Sequence, residues 1–239
     1  RYEVRALNPT NGPSEWLPIE EDSKGTYIFN SKDLNMLSRL KELEKAGIDY
    51  LHIDIMDGSF VPNITLGFDL INSIKKTTKI PLDIHMMVDE PARFIERMNV
   101  DKEDIICVHY ESVKHLHRTL EAIRSKGCKA GLALNPQTPV ENAEPLAEYI
   151  DMLLVMTVSP GFAGQKMFAG AERKVEKARR LLNDWGLQNV PIEVDGNISL
   201  ENGRKLSLKG ADIFVLGTSA LFLKDKTLRQ ASDDFKAVL

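Results

Sequence analysis

Residues 51–63 read LHIDIMDGSFVPN, an alternating run that breaks into a loop at Gly58 and Pro62. Side chains along a strand point to opposite faces in turn, so His52 and Asp54 project one way while Leu51, Ile53 and Ile55 project the other. Two groups able to bind a metal therefore meet at the carboxyl end of one strand. Residues 81–87, PLDIHMM, repeat the pattern and present His85; residues 190–197, VPIEVDGN, present Asp195. Each run is followed by a loop.

Outward from these runs, short β-branched segments alternate with charged, amphipathic ones as far as the C-terminus. Strands are predicted over 27–30, 50–55, 82–87, 104–110, 129–134, 152–157, 191–195 and 212–217. Between them, apolar residues at three- and four-residue spacing mark helices, as in Leu37, Leu40 and Leu43 or Val175, Ala178, Leu181 and Leu182. Alternating strands and helices pair in parallel through right-handed crossovers, and eight repeats favour closure into a (β/α)8 barrel of the α/β class. Closure removes exposed edges and sends every strand-to-helix loop to one rim. The expected organisation is an irregular N-terminal extension over residues 1–26, rich in Pro and Gly, and a single catalytic barrel domain over residues 27–239.

Composition agrees with this reading and narrows the partners. A chain of 239 residues matches one such barrel, which needs about 250. The formal net charge of −4 gives no basic surface for nucleic acid, and no run approaches the ~20 apolar residues that span a bilayer. No nucleic-acid or membrane partner is expected. The first residues lack the order of a secretory signal, so a cytoplasmic location is the expectation. Cys107 and Cys128 have neither metal-knuckle nor redox-pair spacing and read as buried, inert thiols.

One His or Asp at a strand end is ordinarily a satisfied structural group, but four at equivalent ends form a pattern. His52, Asp54, His85 and Asp195 offer two imidazoles and two carboxylates, a set suited to one divalent ion such as Zn, Mn, Fe or Co. Such an ion stabilises the enediolate formed when a proton leaves the carbon beside a ketone. Asp54 and Asp195, on opposite sides of that plane, could remove and return the proton and so invert the carbon. A phosphate site is expected at the loops after the last three strands: Gly161, Phe162, Ala163 and Gly164; then Gly196 and Asn197; then Gly217, Thr218 and Ser219. Met56, Met87 and Met156 read as pliable packing that walls the metal, and His109 as a secondary or structural group.

The segments LHIDIMDGSFVPNITLG, PLDIHMMVDEP, HLHRTLEAIRSKGCKAGLALNPQTPVE, DMLLVMTVSPGFAGQK and IEVDGNIS together resemble the ribulose-phosphate 3-epimerase family, over residues 40–222. The resemblance implies a TIM barrel of the ribulose-phosphate-binding type that interconverts D-ribulose 5-phosphate and D-xylulose 5-phosphate in the pentose phosphate pathway. It also implies His52, Asp54, His85 and Asp195 as metal ligands, Asp54 and Asp195 as the acid/base pair, a small ketose phosphate as partner, and a homo-oligomer. The chain departs from the family pattern in three places. Tyr27 or Ile28 stands where the family's first strand carries a substrate-contacting Ser, Asn197 replaces a Gly, and Ala163 replaces another. Ala163 and the ending GTSALF resemble the allulose-6-phosphate 3-epimerase branch, which acts on a six-carbon ketose phosphate.

Overall fold

Strands buried on both faces, with alternate residues turned outward and inward, organise the molecule. The structure is a computed structural model that describes residues 2–6, 20–21, 27–28, 32–65 and 67–239. Among the described residues, ten strands and six α-helices follow in the order β1 (Tyr2–Ala6), β2 (Glu20–Glu21), β3 (Tyr27–Ile28), α1 (Lys32–Lys45), β4 (Tyr50–Met56), α2 (Phe68–Thr77), β5 (Leu82–Met87), β6 (Ile105–His109) and α3 (Leu116–Ser125). The chain continues through β7 (Lys129–Leu134), β8 (Met152–Met156), α4 (Ala171–Asp184), β9 (Ile192–Asp195), α5 (Leu200–Leu208), β10 (Ile213–Leu216) and α6 (Leu228–Val238). Eight strands close into a barrel in the order β1-β10-β9-β8-β7-β6-β5-β4, while β2 and β3 form a separate two-stranded sheet. This is the TIM barrel that the alternation predicts.

One strand differs from expectation. Residues 27–30 do not supply the first barrel strand: Tyr27 and Ile28 pair antiparallel with Glu21 and Glu20. The place is taken by β1, which pairs with β10 from Tyr2↔Ile213 to Arg5↔Leu216 and with β4 from Val4↔Tyr50 to Ala6↔His52. The segment YEVRA alternates without Gly or Pro for five residues, long enough to bridge both neighbours, whereas YI spans only two. Part of the extension read as irregular is therefore a barrel strand. Residues 7–19 and 22–26 of that extension lie outside the described residues.

Two crossovers also differ from simple helices. Short 3-10 turns at Pro91–Arg93 and Ile95–Arg97 join β5 to β6, and a 3-10 stretch at Val140–Tyr149 joins β7 to β8. Pro145 lies inside the latter, where its missing N–H and its ring prevent continuous i→i−4 bonding.

The two faces of the strands build two cores. Leu51, Ile53 and Ile55 of β4, Leu82, Ile84 and Met86 of β5 and Leu153 and Val155 of β8 pack outward against the helices. Tyr50, Cys107, Ala133, Met152, Leu154, Met156, Ile213 and Val215 fill the barrel interior. Cys107 and Cys128 are both free and buried, as their spacing predicts. Among the described residues no helix is long and apolar enough to cross a membrane.

The seam between α5 and α6 shows how closely the outer layer fits. Phe235 of α6 is fully buried and meets Phe214 of β10 edge-on, with ring centroids 5.5 Å apart. A Cβ on Gly203 of α5 would lie 2.4 Å from Phe235 Cζ. Gly to Ala inside a helix ordinarily stabilises by roughly 0.5–1 kcal/mol. Here the clash reverses the sign: Gly203→Ala is expected to lower the urea midpoint, and Phe235→Leu in the same chain to restore part of the loss.

Candidate active site

Alternation along three strands carries the site. Tyr50, His52 and Asp54 of β4 face the barrel axis, and the register sets His52 beside Asp83 and Asp54 beside His85 of β5. On β9, Glu193 and Asp195 face the same way, with Asp195 beside Met156 of β8. His52, Asp54, His85 and Asp195 each direct one ligand atom to a common place, all within 4.8 Å of one another. Asp54 Oδ1 is the hub, 3.3 Å from His52 Nε2 and 3.1 Å from His85 Nδ1; Asp195 Oδ2 lies 3.9 Å from His85 Nδ1. The structure thus gathers the four side chains that the sequence reading singled out.

Behind them stands a second layer, of which the sequence reading singled out only His109, as a secondary or structural group. Asp83 Oδ2 is 2.5 Å from His52 Nδ1, and Glu193 Oε1 is 3.6 Å from the same nitrogen. His85 Nε2 meets His109 Nε2 at 2.8 Å, and His109 Nδ1 lies 3.3 Å from Glu111 Oε2. The other oxygen of Glu111 accepts the Asn135 N–H at 2.9 Å and the Thr138 hydroxyl. His109 is buried and sits between the rings of Phe60 and His85, so it belongs to the layer supporting His85 and not to the cleft wall. The signal was present: Asp83 and Glu193 each lie two residues before His85 and Asp195, on the same face of the same strand.

Burial and partners divide the titrating groups. Burial raises the carboxyl of Asp54, but hydrogen bonds to His52 and His85 outweigh it and hold the group well below the usual carboxylate range. Burial lifts Asp195 above its ordinary value. Burial, with Asp83 beside it, also lifts Glu193. Burial takes His109 down to about 4, leaving a neutral ring at neutral pH. Glu111 is raised by burial yet ends low, because His109, Thr138 and the Asn135 N–H all donate to it.

A divalent cation fits the cluster. His52 Nδ1 faces Asp83, and its Nε2, fully buried without a hydrogen-bond partner, lies 3.3 Å from Asp54 Oδ1. Against the cost of burial, the carboxylates around it draw positive charge to this place and lift the His52 pKa well above its ordinary value; a proton or a cation between the two atoms meets that demand. Two imidazoles with two carboxylates suit borderline ions, and the shell behind the imidazoles supplies the outer hydrogen bonds that metal-ligating His residues ordinarily make.

A cleft opens at the carboxyl rim above the cluster. Asp54 and Asp195 line it together with Met56, Met87 and Met156 and all nine loop residues expected to hold phosphate: Gly161, Phe162, Ala163, Gly164, Gly196, Asn197, Gly217, Thr218 and Ser219. Asn63 Nδ2 donates to the Gly161 carbonyl at 3.1 Å and ties the loop after β4 to the loop after β8. Asn197 holds a left-handed backbone, φ 55°, braced by Asn202 Nδ2 on its carbonyl at 2.8 Å. Gly196 has φ +118°, and a Cβ there would lie 2.5 Å from Val158, so this turn admits only glycine without rearrangement.

With the geometry in place, the comparisons with known proteins are specific. The sequence profile described as "Ribulose-phosphate 3 epimerase family" matches residues 27–222. Ribulose-phosphate 3-epimerase of Bacillus subtilis is 40% identical over 189 residues, 79% of this chain and 87% of that protein. Its namesake in Methanocaldococcus jannaschii is 36% identical, over 87% of this chain and 90% of its own. The chloroplastic ribulose-5-phosphate-3-epimerase of Arabidopsis thaliana is 39% identical, over 83% and 71%. Among solved structures, orotidine 5'-phosphate decarboxylase of Pyrococcus horikoshii superposes with a TM-score of 0.60 at 14% identity, covering 99% of this chain and 98% of that one, a likeness of fold alone. The chain belongs to the ribulose-phosphate 3-epimerase family, a family of carbohydrate isomerases.

Proposed function

We propose that the protein is a metal-dependent epimerase that inverts C3 of D-ribulose 5-phosphate to give D-xylulose 5-phosphate. The observation that carries this reading is the convergence of Asp54 and Asp195, from strands three places apart around the barrel, on one cation-sized place at the base of the cleft. Five-carbon substrates are favoured by the names of the relatives; Ala163 is the residue that speaks for a six-carbon ketose phosphate.

His52, Asp54, His85 and Asp195 would hold one divalent ion, Zn, Mn, Fe or Co. The ion, when bound, supplies Lewis-acid stabilisation of the negative charge that develops on the substrate oxygens. The chain's own residues do the rest. Asp54, kept ionised by its imidazole neighbours, is prepared to accept the C3 proton at a carboxylate oxygen. Asp195, lifted by burial, is prepared to hold a proton and deliver it to the opposite face of the planar enediolate. For the reverse reaction the two exchange roles. The buried Met56, Met87 and Met156 keep water from the intermediate. The loops after β8, β9 and β10 would bind the phosphate and hold C3 between the two carboxylates.

Asp195→Asn keeps the shape and an oxygen ligand but cannot carry the proton. Turnover is expected to fall by about 10²- to 10⁴-fold, and C3–H exchange with D₂O, followed by NMR, should fall with it. Near-normal turnover in this variant would refute the two-base assignment. Offering ribulose 5-phosphate and allulose 6-phosphate to the same preparation decides substrate length. At the other end of the substrate, Ser219→Asp places a negative charge where phosphate is expected. KM is expected to rise by about tenfold or more with kcat changed much less, and inhibition by inorganic phosphate should weaken in parallel.

A further inference from the structure

The chain of groups behind His85 has more junctions than protons. Asp54 Oδ1 faces His85 Nδ1 at 3.1 Å, His85 Nε2 faces His109 Nε2 at 2.8 Å, and His109 Nδ1 faces Glu111 Oε2 at 3.3 Å. Three junctions need three positive partners, yet two neutral imidazoles bring only two ring protons. Which junction goes without depends on what stands at the far end. Asp54 and Glu111 can both only accept; with positive charge beside Asp54, Glu111 Oε2 draws the His109 proton to Nδ1. His109 Nε2 then accepts, His85 must donate from Nε2, and His85 Nδ1 is left as a bare lone pair facing Asp54 and Asp195.

We propose that Glu111 is a positioning residue for the metal ligand His85, setting through His109 which ring nitrogen is free to bind the cation. The proposal rests on the cation reading of the cluster given above. A cation beside Asp54 fills the first junction and leaves two protons for the remaining two. Glu111 touches neither cation nor substrate, and its side chain is 20% exposed at the edge of the 3-10 turn after β6.

Glu111→Gln tests this because the amide has a forced orientation. The Asn135 N–H and the Thr138 hydroxyl both donate to Oε1, so the amide oxygen of the variant should take that side and its NH₂ should face His109 Nδ1. A donor there reverses the chain: His109 carries its proton on Nε2, and His85 is protonated on Nδ1. Thr138→Val is the control, since it removes a hydrogen bond from the same carboxylate but leaves the acceptor facing His109.

Metal-free wild type, Glu111→Gln and Thr138→Val would be titrated with Zn²⁺ against a chromophoric chelator, and their His tautomers read by long-range ¹⁵N–¹H NMR. Zn²⁺ affinity is expected to fall by about 10- to 100-fold in Glu111→Gln and to change far less in Thr138→Val. The His85 ring proton should move from Nε2 to Nδ1 in the former alone. Equal affinity in wild type and a folded Glu111→Gln would overturn the proposal, as would an equal loss in Thr138→Val. Should Glu111→Gln fail to fold, a wild-type His109 protonated on Nε2 would overturn it by itself. A wild type that binds no Zn²⁺, Mn²⁺, Fe²⁺ or Co²⁺ refutes instead the cation reading, so the two failures are distinct.

Discussion

The buried hub at Asp54 Oδ1, with a ring nitrogen 3.3 Å away on one side and another 3.1 Å away on the other, is the constraint around which the interior is arranged. Two ring nitrogens and an anionic oxygen share this dry space only with positive charge between them, whether a proton or a cation. Asp83 behind His52 and Glu111 behind His109 act from the outside inward, because each can only accept a proton and so turns the ring's other nitrogen toward the hub. A closed barrel suits this task. Its strands are held on both sides by parallel ladders, so side chains at the carboxyl ends have little room to turn from the arrangement that the register imposes.

Such a network is costly to bury, and the barrel confines it to two adjacent layers. Below it the interior is apolar, with Cys107, Met152 and Leu154 filling the space; above it lies the cleft. The outward faces of the same strands carry the packing against the helices that stabilises the fold. Stability and chemistry are thus assigned to alternate residues of one strand: Leu51, Ile53 and Ile55 on one face, His52 and Asp54 on the other. This segregation lets the polar layer remain incompletely satisfied, as Asp83 Oδ1 and both oxygens of Glu193 are, within a fold whose packing does not depend on them.

The same alternation decides what could be read from sequence. Seven barrel strands, the four converging side chains and the cleft-lining loops were legible because each follows from period two and from the place of loops in a parallel barrel. Asp83 and Glu193 obeyed the same rule but stood one layer deeper, where a strand-end search does not look. Glu111 was illegible for another reason: its partner His109 comes from the strand before it, and its meaning depends on a contact between two rings 24 residues apart. The first barrel strand was misread because a short run beside Pro- and Gly-rich sequence gives little local signal, and pairing with β4 and β10 decides it. The family profile likewise begins at residue 27, after this strand.

The two catalytic candidates differ in ways that one strand position cannot explain. Asp54 lies between two imidazoles, which favour its anion, whereas Asp195 is at the end of β9, where Asp54 and Asp83 add negative potential to the cost of burial. Two carboxylates within 4.8 Å of each other are thereby separated in proton affinity before substrate arrives. A reversible inversion needs one empty and one filled proton carrier at the start of each turnover, and needs them exchanged at its end. A cation shared by both would lower the two proton affinities together, while the imidazoles act mainly on one. The asymmetry therefore comes from the chain's own residues, and a turnover that fills Asp54 and empties Asp195 would leave the pair prepared for the reverse reaction.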